Sequence, residues 1–303
     1  MKIFFILLIS IFLNAQIVNF VMHKDISKQN KLMSINILDS KELIFEKTNI
    51  DELSALAFKD NILYALSDLG YLFHFEINLQ DNKINSLKLF KKIKLTNKKS
   101  KELSKKKSDA EGMVFVKEKL YISFERKPRV DIYSLNGQKI KKYKINKELL
   151  DIDNYQGKNK ALEAITYNKK YGVLVAPEKP LIYEDKKYHI IYGKKQIYKF
   201  KASKNLTAIE FINEDELLSL ERDFDAFPYR RTTILKKVYL NRCVKNICES
   251  HILAKLESKD AWKLDNFEGL VNLGDNRFLM ISDNNGSFFQ KTLLVLFELV
   301  DFN

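Results

Sequence analysis

Asn266-Phe267-Glu268-Gly269-Leu270-Val271-Asn272-Leu273-Gly274-Asp275-Asn276-Arg277-Phe278-Leu279-Met280-Ile281-Ser282-Asp283 reads as two apolar strands around a tight turn. From Glu268 it follows a layout of a small or acidic residue, a small residue and an aliphatic one, and it closes on an acid. The same layout recurs at Ser54-Ala55-Leu56 to Asp68, Glu111-Gly112-Met113 to Glu125, Glu163-Ala164-Ile165 to Glu178, and Thr207-Ala208-Ile209 to Glu221. The starts lie 57, 52, 44 and 61 residues apart. A unit of about 40–50 residues with four short strands has the size of a propeller blade. The predicted fold is therefore all-β: a β-propeller of five blades with about four strands each. Six blades is the alternative, if residues 32–47 contribute to a degenerate extra one.

Composition agrees with a packed β domain. The 303 residues are 46% hydrophobic and 12% aromatic, enough for a large core. With 9 Gly, 4 Pro and 2 Cys, collagen-like, low-complexity and multi-disulfide scaffolds are excluded. Alternation at Phe73, Phe75, Ile77 and Leu79 is of the strand kind, and no long helical period follows the N-terminus. The last repeat unit lacks an outer strand, whereas Leu43-Ile44-Phe45-Glu46 reads as a strand without a partner. Pairing these two would close the ring and remove two sheet edges.

In an antiparallel hairpin, opposed residues have index sums centred on the turn. Ser54/Asp68, Glu111/Glu125, Glu163/Glu178, Thr207/Glu221 and Glu268/Asp283 all centre in predicted turns. The first and last residue of each copy should then be cross-strand neighbours around one mouth of the central channel. Eight of these ten are acidic. Clustered acids need a cation, protons or basic side chains to neutralise them. Glu111, Glu125, Glu163, Glu178, Glu268 and Asp283 are candidate ligands for a hard cation such as calcium. Arg126, Lys179 and Arg222, each directly after an acid, are the internal alternative.

Met1-Lys2, the uncharged run Ile3–Leu13 and Asn14-Ala15-Gln16 make a secretory signal peptide with cleavage near Ala15. An uncleaved anchor is the rival, but the run falls short of the roughly 20 residues that span a bilayer. The expected division is a signal peptide over 1–15, a leader over 16–40 and one domain over 41–303. Export places the mature chain in the periplasm or outside the cell and removes nucleic acid as a partner. Cys243 and Cys248 suit the two arms of a hairpin, and an oxidising compartment permits a disulfide there.

The sequence contains no G-x-S-x-G elbow, no P-loop, no G-x-G-x-x-G and no H-E-x-x-H. Asn266-Phe267-Glu268-Gly269-Leu270, Phe278-Leu279-Met280-Ile281-Ser282-Asp283-Asn284-Asn285 and Gln290-Lys291-Thr292-Leu293-Leu294 resemble the closing signature of the phytase-like β-propeller family, labelled "esterase-like activity of phytase". Leu206-Thr207-Ala208-Ile209-Glu210-Phe211 with Leu217-Leu218-Ser219-Leu220-Glu221-Arg222-Asp223-Phe224 is similar to an earlier segment of that family. The resemblance implies an exported bacterial propeller and a calcium-dependent phosphoester hydrolase. A non-catalytic propeller binding a ligand or an envelope partner is the other expectation.

The net charge of +13 favours anionic partners. Arg126, Arg222, Arg230 and Arg231 are candidates for holding a small anionic or phosphorylated ligand, since guanidinium groups grip phosphate bidentately. Asp68, Glu221, Asn284 and Asn285 complete the candidate ligand set. The Lys-rich stretch Lys91–Asp109 is either a solvated loop or a contact for an envelope surface.

Overall fold

The computed structural model describes residues 13–14, 16–28, 31–45, 50–226 and 229–300. Most of the predicted signal peptide, including Ala15, and the predicted strand residue Glu46 lie outside them. In chain order the strands are β1 (Leu13–Asn14), β2 (Gln16–Asn19), β3 (Lys31–Leu32), β4 (Ile35–Ile44), β5 (Leu53–Lys59), β6 (Ile62–Ser67), β7 (Tyr71–Gln80) and β8 (Lys83–Lys94). A helical turn, α1 (Lys105–Ser108), precedes β9 (Ala110–Val116), β10 (Lys119–Phe124), β11 (Arg129–Tyr133) and β12 (Lys139–Tyr143). Next come β13 (Leu162–Asn168), β14 (Gly172–Pro177), β15 (Tyr188–Tyr192) and β16 (Ile197–Lys201). The remaining strands are β17 (Asn205–Phe211), β18 (Glu216–Ala226), β19 (Tyr229–Val244), β20 (Ile247–Glu257), β21 (Asn266–Gly274), β22 (Arg277–Asp283) and β23 (Thr292–Leu299).

Among the described residues, these strands form antiparallel meanders β5–β8, β9–β12, β13–β16, β17–β20 and β21–β23, the last extended by β4. β13–β16 and β17–β20 count as one sheet only through a parallel bridge at Lys199↔Ile247. β23 pairs with β4 from Thr292↔Leu43 to Leu299↔Ile35. β4 starts at Ile35, earlier than the expected strand at Leu43. Asn36, Asp39 and Lys41 break the apolar run there, so sequence hid its first half. The segment read as a leader, 16–40, supplies β2, β3 and most of β4, and the boundary at residue 40 cuts through β4. β2 lies on the outer edge of β4, while β1 pairs with β8 of the first meander.

Both faces of each meander are apolar, because each faces a neighbour. Leu66 and Leu72 share a cluster with Leu120 and Phe124. Val114 and Val130 pack with Ile165 and Val175. Leu174 and Phe200 meet Leu217 and Val238. Leu218 and Leu235 meet Phe267 and Phe297. Leu279 and Leu294 share a cluster with Phe73 and Phe75. The innermost strands follow a circle: β5 borders β9, β9 borders β13, β13 borders β17, β17 borders β21, and β21 borders β5. Cys243 and Cys248 form a disulfide across β19 and β20, near the tip of their hairpin.

The small residue at the second repeat position is explained by crowding at the centre. A Cβ on Gly112 would lie 2.4 Å from Glu163 O and 2.8 Å from Ile165 Cγ2. A Cβ on Gly269 would lie 2.7 Å from Ile281 Cγ2 and 3.2 Å from the Ala55 backbone. At Gly112 the obstacle is the next strand's backbone, which cannot rotate aside. Gly112→Ala should therefore cost about 1–3 kcal/mol of stability, read by denaturant unfolding; unchanged unfolding would contradict this packing.

Candidate functional site

The first residue of every repeat copy occupies a β-bulge. Ladder registers step from Leu53 to Ala55, from Ala110 to Gly112, from Leu162 to Ala164, from Leu206 to Ala208 and from Phe267 to Gly269. The residues skipped are Ser54, Glu111, Glu163, Thr207 and Glu268. A bulge bends the strand and re-aims the extra side chain. Here it corrects the expected cross-strand pairing, since the closing acids meet residues before the bulge instead. Asp68 N donates to Glu52 O (3.0 Å), Glu125 N to Asp109 O (3.0 Å) and Glu178 N to Ala161 O (2.9 Å). Asp283 pairs with Asn266, and Glu221 with Leu206.

The five bulged residues still converge. Together with the two residues that follow each, they line a central space of about 10 Å³, which has room for about one water. Ser54 and Thr207, the copies without an acid, use their hydroxyls between strands: Ser54 Oγ is 2.6 Å from Ala110 O, and Thr207 Oγ1 is 3.2 Å from Phe267 O.

Acids gather beside this space, and Glu111, Glu163 and Glu268 are part of its lining. Asp68, Asp109 and Glu111 each offer a carboxylate oxygen within 4.8 Å of the others, and so do Glu125, Glu163 and Glu178. Asp68 Oδ1 is buried without a hydrogen-bond partner. Burial raises the Glu111 carboxyl well above the usual range, and repulsion from Glu163, Glu268, Glu125 and Asp68 adds to it. Glu163 is raised for the same reasons, with Glu178 its strongest acidic neighbour. Burial, then Glu52, pushes Asp68 up to about 9. Burial and Asp109 push Glu125 to about 8, and burial and Glu268 push Asp283 to about 8.

A family model described as "Phytase-like: Esterase-like activity of phytase" matches residues 48–286. The chain belongs to this phytase-like family. No curated protein matches it. Among solved structures, it is similar to the PQQ-bound form of aldose sugar dehydrogenase from Streptomyces coelicolor, at 9% identity and TM-score 0.42, covering 86% of this chain and 98% of that one. The Cps50 (Swd1) β-propeller domain from Myceliophteria thermophila matches at 8% identity and TM-score 0.41, covering 95% of this chain and 99% of that one. A chain of a mitotic checkpoint complex matches at 10% identity and TM-score 0.41, covering 82% of this chain; the match spans 62% of the other.

In this phytase-like chain three of the four predicted arginines pair with acids. Arg222 pairs with Glu268, which also accepts from Asn266 Nδ2 (2.8 Å). Arg126 lies 2.9 Å from Asp109 and keeps 42% of its side chain exposed. Arg231 is buried against Asp265, which belongs to neither carboxylate group. Arg230 is exposed and sits opposite Asp225 on the β18–β19 hairpin. Glu221 is separate as well. Burial would raise its carboxyl, but His189, whose Nε2 lies 3.4 Å away, and Lys236 hold it below the ordinary value. Lys236 Nζ is 2.6 Å from it, and the amides of Ser203 and Lys204 each donate at 2.8 Å. Asn284 and Asn285 shape their loop: Asn284 Oδ1 accepts from Glu52 N (3.1 Å), and Asn285 N donates to Asp283 Oδ1 (2.7 Å).

Sequence reasoning missed Asp109 as a member of the site, and Lys160, whose Nζ is 2.8 Å from Glu178. Asp109 stands two positions before a leading residue, as do Glu52 and Asn266. That spacing was visible, but a hairpin register without a bulge gives it no meaning.

Raised carboxyls bind protons more tightly when folded than when unfolded. Stability is then full at acid pH and is lost as pH rises from the unfolded value near 4 through the folded values. With Asp68 at about 9 and Glu125 and Asp283 at about 8, the cation-free protein should melt several degrees lower at about pH 9 than at about pH 5. Glu111→Gln should shrink the difference. A melting temperature that holds or rises over this range would contradict the assignment.

Proposed function

We propose that this phytase-like chain is an exported propeller of five blades, closed by β4 on β23, whose mouth holds a hard divalent cation, calcium by preference, for phosphoester hydrolysis. The observation that carries the cation is the meeting of Asp68, Asp109 and Glu111 within 4.8 Å. The donor set fits: oxygen atoms only, anionic when ionised, and closely spaced as a calcium site requires. Glu125, Glu163 and Glu178 form a second group, in which Lys160 already supplies one positive charge. A bound cation would polarise a phosphoryl oxygen and lower the pKa of its water.

Arg126 is the guanidinium best placed for the anion, because it borders Asp109 and remains partly exposed. Glu268, which also accepts from Asn266, holds Arg222 at the edge of the site. The family name supports a phosphoester as substrate. One observation favours a non-catalytic, ligand-binding propeller instead: Arg222 and Arg231 are already paired with acids.

Two measurements divide these readings. Calcium at about 100 times its Kd should stabilise the fold by about 2.7 kcal/mol, a rise of roughly 4–5 °C in melting temperature for a domain of this size. Glu111→Gln should abolish most of that rise. Phosphate release from phytate or a chromogenic ester should require calcium and fall at least tenfold in Glu163→Gln, about 1.4 kcal/mol in barrier. A thermal rise without turnover leaves the binding module, and no thermal rise removes the cation reading.

A further inference from the structure

The innermost strand of each meander starts at the mouth, so its second and third strands are joined on the mouth side, and the fourth strand returns there. Those connections carry large apolar side chains in water. Phe288 and Phe289, between β22 and β23, are 98% and 92% exposed. Ile182 and Tyr183, between β14 and β15, are 56% and 61% exposed, and Phe224 near the β18–β19 turn is 48% exposed. Phe224, Asn285 and Gln290 border one shallow cavity of about 170 Å³, which places the β18–β19 hairpin beside the Phe288 loop. Single exposed apolar residues are ordinary, but several tips on one face mark a contact surface.

The same connections are cationic. Lys105 and Lys106 of α1, and Lys186 and Lys187 beside Tyr183, are exposed. The carboxylates Glu125, Glu163, Glu178 and Asp283 are buried, whereas Asp185 beside Lys186 and Asp225 beside Phe224 are exposed and outnumbered by lysines. A flat object laid on these loops would touch aromatic tips and lysines before it met the buried carboxylates. The apolar residues stand on separate loops rather than in one continuous groove. That arrangement suits a planar, deformable partner better than a shaped protein surface.

We propose that the mouth face docks on an anionic phospholipid bilayer. Phe288 and Phe289 enter the boundary between headgroups and acyl chains, and the exposed lysines contact headgroup phosphates. This docking stands apart from the cation site, since none of its residues belongs to either carboxylate group.

The test uses the full chain and vesicles of phosphatidylcholine with or without phosphatidylglycerol. Trp262 is the sole tryptophan and is buried, so Phe288→Trp adds an exposed reporter over a constant background. On phosphatidylglycerol vesicles its emission should shift to the blue and be quenched by brominated lipid. Phe288→Ser combined with Phe289→Ser should weaken vesicle co-sedimentation about tenfold or more. Binding should also fall steeply at about 1 M salt, where the screening length is about 3 Å. An unshifted reporter, or co-sedimentation unchanged by the double substitution, overturns the proposal. Aromatic-dependent self-association without vesicle binding overturns it too and assigns the face to a second copy of the chain.

Discussion

Five β-bulges around one axis are the constraint from which the rest follows. Each bulge releases a strand from strict register just where it nears the axis. The side chain of the extra residue turns inward, and backbone groups become free to bond the neighbouring meander. Leu206 N, for example, donates to Glu178 O at 3.1 Å, across the seam between β13–β16 and β17–β20. Because buried backbone polar groups must be paired, such seam bonds hold the circle together beyond the apolar clusters. The methyl or hydrogen at the next position then sets how closely adjacent strands approach.

The same device creates an electrostatic problem and only partly relieves it. Ser54 and Thr207 spend their hydroxyls on neighbouring strands. Glu268 is answered by Arg222, Glu178 by Lys160, and Glu221 by Lys236. No hydrogen bond or ion pair from a described residue reaches Glu111 among these neighbours, and its carboxyl is pushed strongly toward the neutral form. A chain with 52 basic residues against 39 acidic ones thus keeps its cations on the outside and a deficit of them at the centre. That imbalance, rather than the net charge, makes the mouth chemically distinctive.

Much of the architecture was legible because strand-turn-strand units repeat with a conserved chemical outline: acid or hydroxyl, small, aliphatic, then a closing acid. The convergence of Glu111, Glu163 and Glu268 followed from that outline alone. The detailed partners did not, since a bulge leaves no mark in a two-residue alternation and moves every opposed pair beyond it. Asp109 was lost for this reason, and Glu221 looked equivalent to Glu125 although Lys236 and His189 capture it. The early strand β4 was hidden differently. Its polar residues serve specific partners, as when Asp39 Oδ2 accepts from Ile84 N at 2.8 Å.

The antiparallel ladder between β4 and β23 joins residues more than two hundred positions apart. Contacts so distant in sequence cannot form until both partner segments have been made. Until residues 292–299 emerge, β4 lacks its inner neighbour and the cluster containing Phe73 and Phe75 lacks Leu294 and Leu296. Assembly of the circle is therefore a late and non-local step, of the kind that slows folding through loop-closure entropy. Any cellular factor that shields sticky edges would be needed throughout that interval.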